Sequence, residues 1–427
     1  VKTCVDCIIK VSSICAILNL ETPEEAFINT LLNMANLFEG KEISGKNLEC
    51  ILGLVDFIVN YGQYIKSCWA NLLDFASKIE FYSSFATEDD LIVEIKHNPK
   101  TKNLEKEVET ELKNASLIQK FQLDLKLDQL YFKSGKFPIE VIIDLLNALC
   151  KVSLIELKKY RSPRVYSIHC IVQIAQFNIE RIQIEWYNIW RIISEHFTKV
   201  ITQAKEERIW QNILDMFKQT ISKLLPKKDL SGFNFQKDFF TPLVEIFKTT
   251  SKIDRCETIL NYTYYIAYSY SKVIHSGWIT IFEIIKKALN RKNKNLNEII
   301  QNLLQVFSDN FTLNEEIRTE VFTGYIDCLW HLYIYNDMKG YAFKTILKLF
   351  KIIFELAPGS TLAPSGNPLA GSTLTGKAHN IKEKRYQYLK IFFYGFDDLM
   401  FASSLEHLNL LIEIINHNKS FRKKIFY

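Results

Sequence analysis

The chain is poor in glycine and proline, with 14 and 9 residues among 427. Helix interiors tolerate neither residue well, because glycine carries an entropic cost and proline removes a backbone hydrogen-bond donor. The shortage therefore favours an all-α chain with short, plain turns. Few segments alternate apolar and polar residues with a period of two, so we expect no significant sheet.

Long apolar runs and a strong excess of one charge are also missing. A membrane-spanning helix needs about 18 uninterrupted apolar residues, and Lys348 and Lys351 interrupt even the segment KTILKLFKIIFEL. The 53 basic and 48 acidic side chains leave a net charge of only +5. This balance permits weak attraction to an acidic membrane surface. It does not match the basic stripe of a nucleic-acid-binding protein, so we expect no nucleic-acid partner.

Signatures of catalysis and of metal or cofactor binding are absent too. The chain contains no GxxxxGK[ST], GxGxxG or HExxH motif. Cys4 and Cys7 have no second close pair of cysteine or histidine to complete a zinc site. Nine scattered cysteines are typical of reduced, buried thiols in a cytosolic protein. We therefore expect no enzyme activity, no metal and no cofactor, and we interpret the chain, which starts inside a helical pattern, as a fragment.

What the chain does contain is helical periodicity, seen most clearly in residues 138–199. Trp69, Trp186 and Trp278 are each followed by apolar residues three, four and seven positions later, which places them on one helical face. The tryptophans lie 117 and 92 residues apart, compatible with multiples of a repeat of about 40 residues. The pattern predicts a HEAT/armadillo-like α-solenoid. Residues 22–25 predict a helix start, with Thr22 as cap, Pro23 in the first turn, and Glu24 and Glu25 facing water.

Composition suggests five segments. Helical repeats are expected over 1–86 and a charged loop or linker with partial helix over 87–130. A central helical-repeat regulatory region follows over 131–356. Residues 357–377 (APGSTLAPSGNPLAGSTLTGK) form the predicted flexible linker, native or engineered, because they have no apolar face to bury. Further helical repeats are expected over 378–427.

Two clusters are candidates for contacts with partners. The first is basic and lies around a predicted helix end; it comprises Lys158, Lys159, Arg161 and Arg164. It is either an ordinary basic helix C-terminus or a contact for acidic lipid or an acidic partner. The second is aromatic and comprises Phe233, Phe235, Phe239 and Phe240. It is either a plug between core helices or part of a partner groove.

Several phrases of the sequence resemble one protein family. They are the ALCKVS and EL runs of residues 148–153 and 156–157, the Pro-Arg pair at 163–164, and FN, R and W at 177–178, 181 and 186. The EHF run at 195–197, the FNFQKDF run at 233–239 and the SGW run at 276–278 complete the set. Together they resemble the region after the catalytic domain of large ARF guanine-nucleotide exchange factors of the brefeldin-A-inhibited type. The similarity is dense over 138–245, patchy over 1–82 and 246–300, and faint beyond.

This resemblance implies a HEAT/armadillo-like regulatory region without its own exchange activity, because the catalytic Sec-seven domain lies elsewhere. In the family, such regions restrain the catalytic domain, bind membrane-anchored ARF–GTP and help place the protein on the trans-Golgi. The implied partners are a small GTPase of the ARF class and, weakly, an acidic Golgi membrane surface, with a homodimer left open. The alternative is a generic helical-repeat adaptor or transport receptor unrelated to ARF.

Overall fold

A computed structural model describes most of the chain. The described residues are 1–37, 41–84, 104–159, 164–227, 235–310, 319–335, 338–355 and 388. The chain forms two compact units, Val1–Leu224 and Leu225–Tyr427, each of which is described by itself. Within the described ranges the regular structure is entirely helical, which confirms the predicted all-α fold.

Ten α-helices lie in the described part of the first unit. They are α1 (Lys2–Ile17), α2 (Glu21–Ala35), α3 (Gly45–Tyr61), α4 (Trp69–Ser83), α5 (Leu104–Lys120), α6 (Leu123–Lys133), α7 (Ile139–Lys159), α8 (Tyr166–Phe177), α9 (Gln183–Gln203) and α10 (Glu207–Leu224). Short 3-10 turns at Gly62–Tyr64 and Ser134–Lys136 follow α3 and α6. Helices α1, α2 and α3 pack against one another at the start of the unit.

The later helices of the first unit stack in two layers. Helix α7 packs against both α4 and α9 in one layer, while α3, α6, α8 and α10 follow one another in the other. From α6 onward, neighbours along the chain therefore alternate between layers, and α6, α7 and α8 each contact the helix two positions on. This is the arrangement of a helical solenoid, in which each repeat buries its apolar face against adjacent repeats.

The second unit repeats this alternation. Its described helices are α11 (Phe235–Thr249), α12 (Ile253–Tyr270), α13 (Gly277–Leu289), α14 (Lys294–Asn310), α15 (Thr319–Tyr335) and α16 (Lys339–Glu355). Helix α13 packs against α11 and α15, and α12 packs against α14. The two-layer stacking agrees with the solenoid-like fold predicted from the sequence.

The three tryptophans of the faint repeat are all buried. Trp69 begins α4, Trp186 lies in the first turn of α9, and Trp278 lies in the first turn of α13. Their partners three, four and seven positions on are also buried (Leu72, Leu73, Ala76, Ile189, Trp190, Ile193, Ile281, Phe282 and Ile285). The helical spacing therefore predicted the inward face of all three helices correctly.

The predicted division of the chain is only partly covered by the described residues. Helices α5 and α6 occupy much of the segment 87–130 that was expected to be a charged loop or linker with partial helix. Residues 85–103 and 357–377 lie outside the described residues, as does 378–427 apart from Tyr388. The five-segment division therefore stays a prediction.

The start of α2 differs from the prediction at two residues. The helix begins at Glu21, and its N-cap position is Leu20 rather than Thr22, although Pro23 does lie in the first turn. Glu24 does not face water: it is 1% exposed, and its Oε1 has no hydrogen-bond partner in the described structure. Burial, and then the nearby charge of Glu21, raise the pKa of Glu24 to about 7. The prediction failed because α1 and α3 both pack against this helix.

The buried carboxyl group of Glu24 makes stability depend on pH. Because its pKa is raised on folding, the carboxyl favours the folded state at low pH, and this contribution is lost as the pH rises from about 4.5 to about 7. We expect Glu24→Gln to raise the free energy of unfolding by about 2 kcal/mol at pH 8 and to change it little at pH 4. The full pKa shift would correspond to about 3 kcal/mol, which sets the upper limit. Urea denaturation at both pH values measures the difference.

The neighbouring carboxyl group provides the matched control. Glu25 lies in the same turn but is exposed, so Glu25→Gln should leave stability unchanged within about 0.5 kcal/mol at either pH. Equal effects of the two substitutions would contradict a buried Glu24.

Candidate functional site

The four basic residues proposed as a contact have different environments. Lys158 is exposed near the C-terminus of α7. Lys159 ends the helix, but its side chain lies outside the described structure, as does the whole of Arg161. The side chain of Arg164 is only 13% exposed and forms an ion pair with Glu80 of α4. Contact with an acidic lipid or partner stays a prediction, and Lys158 is the described member whose side chain is open to solvent.

Arg164 and Glu156 connect α4, α7 and α8. The guanidinium of Arg164 donates to the carbonyl oxygen of Ser77 at 3.0 Å, and it lies over the ring of Phe81 at 5.1 Å. The carboxylate of Glu156 accepts from the hydroxyl groups of Ser77 at 2.5 Å and Ser167 at 2.8 Å. It also accepts from the backbone N–H of Ser167 at 3.0 Å, in the first turn of α8. Glu156 and Arg164, both in motifs of the resemblance, therefore hold neighbouring helices together.

The charge of Glu156 is set by two opposing effects. Burial raises the pKa of this carboxyl, whereas its hydrogen bonds to Ser77 and Ser167 and the charge of Arg164 lower it, and burial is the larger effect. A raised carboxyl pKa can mark a catalytic acid. Here each named partner of the carboxylate belongs to a neighbouring helix or its connection, which is the arrangement of a structural link.

Ser153 of the ALCKVS run and His196 of the EHF run are hydrogen-bonded to each other. Among the described residues of these motifs, they are the serine and histidine that meet. The Ser153 hydroxyl lies 2.7 Å from His196 Nε2 and also donates to the carbonyl oxygen of Cys150 at 3.0 Å. A catalytic serine must reach its substrate, but Ser153 is completely buried. Burial, and then the nearby charge of Lys199, lower the pKa of His196 to about 4. The pair therefore joins α7 to α9 through a neutral imidazole and does not supply a nucleophile.

Asn178 and Arg181 hold the turn between α8 and α9 against the turn after α6. The Asn178 amide donates to Ser134 Oγ at 3.0 Å and accepts from Arg181 Nε at 2.5 Å. Arg181 also pairs with Glu185 at 3.0 Å. Its remaining N–H groups point at three backbone carbonyl oxygens, those of Ser134, Gly135 and Phe137. We call this set the Arg181 clamp.

A glycine allows this close approach. A Cβ atom added at Gly135 would lie 2.6 Å from the carbonyl oxygen of Phe177, closer than two such atoms can come. The turn after α6 therefore requires a residue without a side chain.

The second unit uses the same device. Arg291, which follows α13, donates to the carbonyl oxygens of Phe247 at 2.8 Å and Thr250 at 2.5 Å at the end of α11. Its guanidinium lies over the Phe247 ring at 5.2 Å. In both units an arginine that follows one helix thus donates to backbone carbonyl oxygens at or just after the end of the helix that packs against it.

The phenylalanine cluster and the SGW run are also internal. Phe239 and Phe240 are fully buried, as expected for a plug between helices. Phe233 and the side chain of Phe235 lie outside the described structure. A Cβ atom at Gly277 would come within 2.8 Å of the Phe240 ring, so the glycine of the SGW run makes room for that phenylalanine.

A hydrogen-bonded amide completes this contact. Gln236 Nε2 donates to the carbonyl oxygen of Val273 at 2.6 Å, and its Oε1 accepts from the backbone N–H of His275 at 2.7 Å. The side chain is 1% exposed. It therefore supplies the hydrogen bonds that water would otherwise make to the Val273 carbonyl oxygen and the His275 N–H, both in the connection before α13.

An exposed apolar patch lies beside the Arg181 clamp and was not predicted. It consists of Phe132 of α6, Phe177 at the end of α8, and Ile182 and Ile184 around the start of α9. Ile184 is 70% exposed and Phe132 69%. The rings of Phe132 and Phe177 meet edge to face at 5.3 Å. Several exposed apolar side chains held on rigid elements are typical of a protein contact. Helical periodicity could not reveal them, since most apolar residues nearby point inward.

The cysteines show no site for metal chemistry in the described structure. All nine are free thiols, but Cys4 and Cys7 are exposed on α1 rather than buried as predicted. No group of three or more histidine, cysteine, aspartate or glutamate side chains is arranged to hold a metal ion within the described ranges. Among the described helices, none is both long enough and apolar enough to span a membrane.

Comparison with protein families gives a match in the region of helices α11–α14. Residues 223–307 match the Sec7-like HDS family, described as Mon2/Sec7/BIG1-like. This match covers the Gln236 bond, Gly277 and Arg291, so the internal contacts of the second unit lie in a region that the family shares.

Curated proteins similar to the chain extend this match. Brefeldin A-inhibited guanine nucleotide-exchange protein 2 of Arabidopsis thaliana is 24% identical over 409 residues, covering 84% of this chain and 22% of that protein. The ADP-ribosylation factor guanine nucleotide-exchange factor sec72 of Schizosaccharomyces pombe is 24% identical over 339 residues, covering 72% and 18%. Brefeldin A-inhibited guanine nucleotide-exchange protein 1 of Rattus norvegicus is 30% identical over 173 residues, covering 40% and 9%.

The chain spans only 22% of the length of the first of these relatives. The family match and the relatives agree with the resemblance found in residues 138–245, and the motif residues of that resemblance hold the stacked helices together. The family match and these relatives therefore support a region similar to that of the brefeldin A-inhibited ARF guanine-nucleotide exchange factors.

Proposed function

We propose that the chain is a non-catalytic regulatory and scaffold region that controls exchange activity and Golgi membrane recruitment by binding ARF–GTP and other partners. One observation carries the proposal. The described polar motif residues make internal bonds: Glu156 and Arg164 join helices, and Asn178 and Arg181 clamp a turn. Side chains used in this way stabilise a rigid surface. The nucleotide exchange reaction itself then belongs to another part of the parent protein.

The exposed apolar patch is the surface that we assign to ARF–GTP. Its partner is argued from the Schizosaccharomyces pombe relative, which is named as an exchange factor for ADP-ribosylation factor, and from the expectation that activated ARF exposes an apolar patch of its own. Contacts between two such patches bury apolar area only when both are correctly shaped. The Arg181 clamp keeps the patch in one shape, because it fixes the turn on which Ile182 lies.

Liposome flotation with membrane-anchored ARF tests the proposal. We expect the 427-residue chain to float with liposomes that carry ARF loaded with GTP, and to float much less with ARF loaded with GDP. The double substitution Ile182→Ser and Ile184→Ser should lower the GTP-dependent fraction about fivefold or more, as for interface residues whose truncation costs about 1 kcal/mol. Ile182 occupies the N-cap of α9, where serine is favoured, so the fold should tolerate the change.

A matched control removes two isoleucines elsewhere in the same unit. Ile14 and Ile155 are 54% and 46% exposed, and their replacement by serine should leave flotation unchanged. Equal recruitment with GTP and GDP would contradict ARF–GTP binding. Nucleotide-dependent recruitment that survives the patch variant would keep the function but exclude the patch as the contact.

A further inference from the structure

A cleft in the first unit lies apart from the apolar patch and from the residues of the ARF proposal. It has a volume of about 480 Å³, within the usual range of about 300–1,000 Å³ for small-molecule sites. The segment before α4 forms one wall, and α7 and α9 form the others. The basic and hydrogen-bonding side chains that line the cleft include Lys66, Ser67, Asn147, Lys151, His196 and Lys199.

Three lysines from three different elements face this cleft. Lys66 precedes α4, Lys151 lies on α7 and Lys199 lies on α9, and all three are exposed. None of them forms an ion pair or side-chain hydrogen bond with another described residue. Like charges that share a cleft repel one another, by about 1 kcal/mol or less per pair in water and more where solvent is partly excluded. The fold keeps this charge unneutralised, which favours an anionic ligand.

The acidic groups nearby do not cancel the three ammonium groups. Asp144 of α7 is the carboxyl group that lines the cleft. The pKa of Asp144 is raised: burial raises it most, the charge of Lys66 lowers it, and the charges of Glu21 and Glu140 raise it further. His196 contributes no charge at neutral pH, because its pKa is lowered to about 4. The cleft itself therefore carries three positive groups against one carboxylate.

The remaining lining provides neutral donors and an apolar wall. The Ser67 hydroxyl and the Asn147 amide can both donate hydrogen bonds, and Ala70 and Leu154, both partly exposed, supply apolar surface. Three ammonium groups with neutral donors suit the several oxygen atoms of phosphate groups, since charge-assisted bonds to phosphate are among the stronger hydrogen bonds in proteins.

We propose that this cleft binds a small ligand carrying two or more phosphate groups, either a free metabolite or the headgroup of a lipid. The sugar or polyol part of such a ligand would lie against the apolar surface of Ala70 and Leu154 while its phosphates meet Lys66, Lys151 and Lys199. The site is distinct from the basic cluster around Lys158 and needs no GTPase. It therefore goes beyond the proposed function, and either can fail without the other.

Titration calorimetry on the 427-residue protein tests the site with inositol 1,4,5-trisphosphate as the probe. We expect saturable binding that weakens as salt is raised and that exceeds the binding of inorganic phosphate at least tenfold. The triple substitution Lys66→Gln, Lys151→Gln and Lys199→Gln should weaken trisphosphate binding at least tenfold. The matched control replaces three lysines exposed elsewhere in the unit, Lys10, Lys46 and Lys136, and should keep wild-type affinity.

A second measurement on the unmodified protein does not depend on the folding of any variant. Acetylation of lysine side chains, read by mass spectrometry, should slow at Lys66, Lys151 and Lys199 when trisphosphate is added, and should not change at Lys10, Lys46 and Lys136. Absence of both binding and protection overturns the proposal, as does equal loss of affinity in the two triple variants.

Vesicles distinguish the two sources of the phosphate groups. Phosphatidylcholine vesicles containing phosphatidylinositol bisphosphate are compared with vesicles of equal charge containing phosphatidylserine, without ARF. Preference for the bisphosphate vesicles that is lost in the Lys66, Lys151 and Lys199 variant supports a lipid headgroup. Binding of soluble trisphosphate without vesicle preference supports a free ligand. Equal binding to both vesicles and no binding of trisphosphate would mean only a general attraction to negative charge, and would overturn the site.

Discussion

Replacing Trp186 with alanine is expected to lower the free energy of unfolding of the first unit by about 3–5 kcal/mol, the usual cost of removing a buried tryptophan from a packed core. Trp186 is completely buried in the first turn of α9, and α9 packs against both α7 and α10. The substitution leaves a cavity where two layers of helices meet. Chemical denaturation followed by circular dichroism measures the change, with the transition of each unit fitted separately.

Two further substitutions separate packing from hydrogen bonding. The Trp186 indole Nε1 has no hydrogen-bond partner in the described structure, so Trp186→Phe should cost less than Trp186→Ala, about 1–2 kcal/mol for the lost volume. Trp69 differs, because its Nε1 donates to the Ile65 carbonyl oxygen at 3.0 Å, and Trp69→Phe should cost about 1 kcal/mol more than Trp186→Phe. The control Ile184→Ala changes an exposed residue of the same helix. A loss at Ile184 as large as at Trp186 would contradict the inward position of Trp186.

The second large effect concerns the two arginines that bind helix ends. We expect Arg181→Ala to destabilise the first unit by about 3 kcal/mol, because the charge-assisted bonds to three carbonyl oxygens and to Asn178 are lost. The side chain is only 12% exposed, so water replaces these bonds poorly. Arg291→Ala removes two carbonyl contacts and should cost the second unit about 2 kcal/mol.

Hydrogen exchange read by mass spectrometry assigns each loss to its unit. Arg181→Ala should speed exchange in α6, α8 and α9, whereas Arg291→Ala should speed it in α11 and α13. Lysine at either position keeps the charge but not the planar fork of donors, and should restore less than half of the lost stability. Arg208→Ala, in the first turn of α10, serves as the control and should leave all five helices unchanged. Faster exchange in the same helices for this control would show that the clamps are not specific.

Local pattern predicted the helices well and the roles of polar residues poorly. Trp69, Trp186 and Trp278 are buried as the spacing of their helices predicts, because apolar residues on one helical face are buried whichever neighbour covers them. In the sequence, Arg164 and Arg181 cannot be told from surface arginines, yet both donate to backbone carbonyl oxygens. Glu24 and Glu25 are adjacent and chemically identical, but only Glu24 is buried. The start of a helix does not specify which of its sides another helix will cover.

The surfaces proposed for binding required the tertiary structure. The lysines of the cleft are separated in the sequence, at positions 66, 151 and 199, and face one another only because α4, α7 and α9 stack in one layer. Phe132 and Phe177 likewise meet only because α6 and α8 are stacked. The basic cluster around Lys158, in contrast, is contiguous in the sequence, and the described structure places Arg164 of that cluster in an ion pair.

The sequence by itself determined the helical class of this protein, the inward position of its tryptophans and its resemblance to the exchange-factor family, because each of these depends on residue identity and spacing over a few turns of chain. Only the tertiary structure decided which polar groups are internal and which surfaces remain for a partner. The physical reason is distance along the chain: the bond from Arg164 to Ser77 joins residues 87 positions apart, and that from Arg181 to Phe137 joins residues 44 apart. Contacts of this kind depend on how the helices stack, and local periodicity contains no information about that.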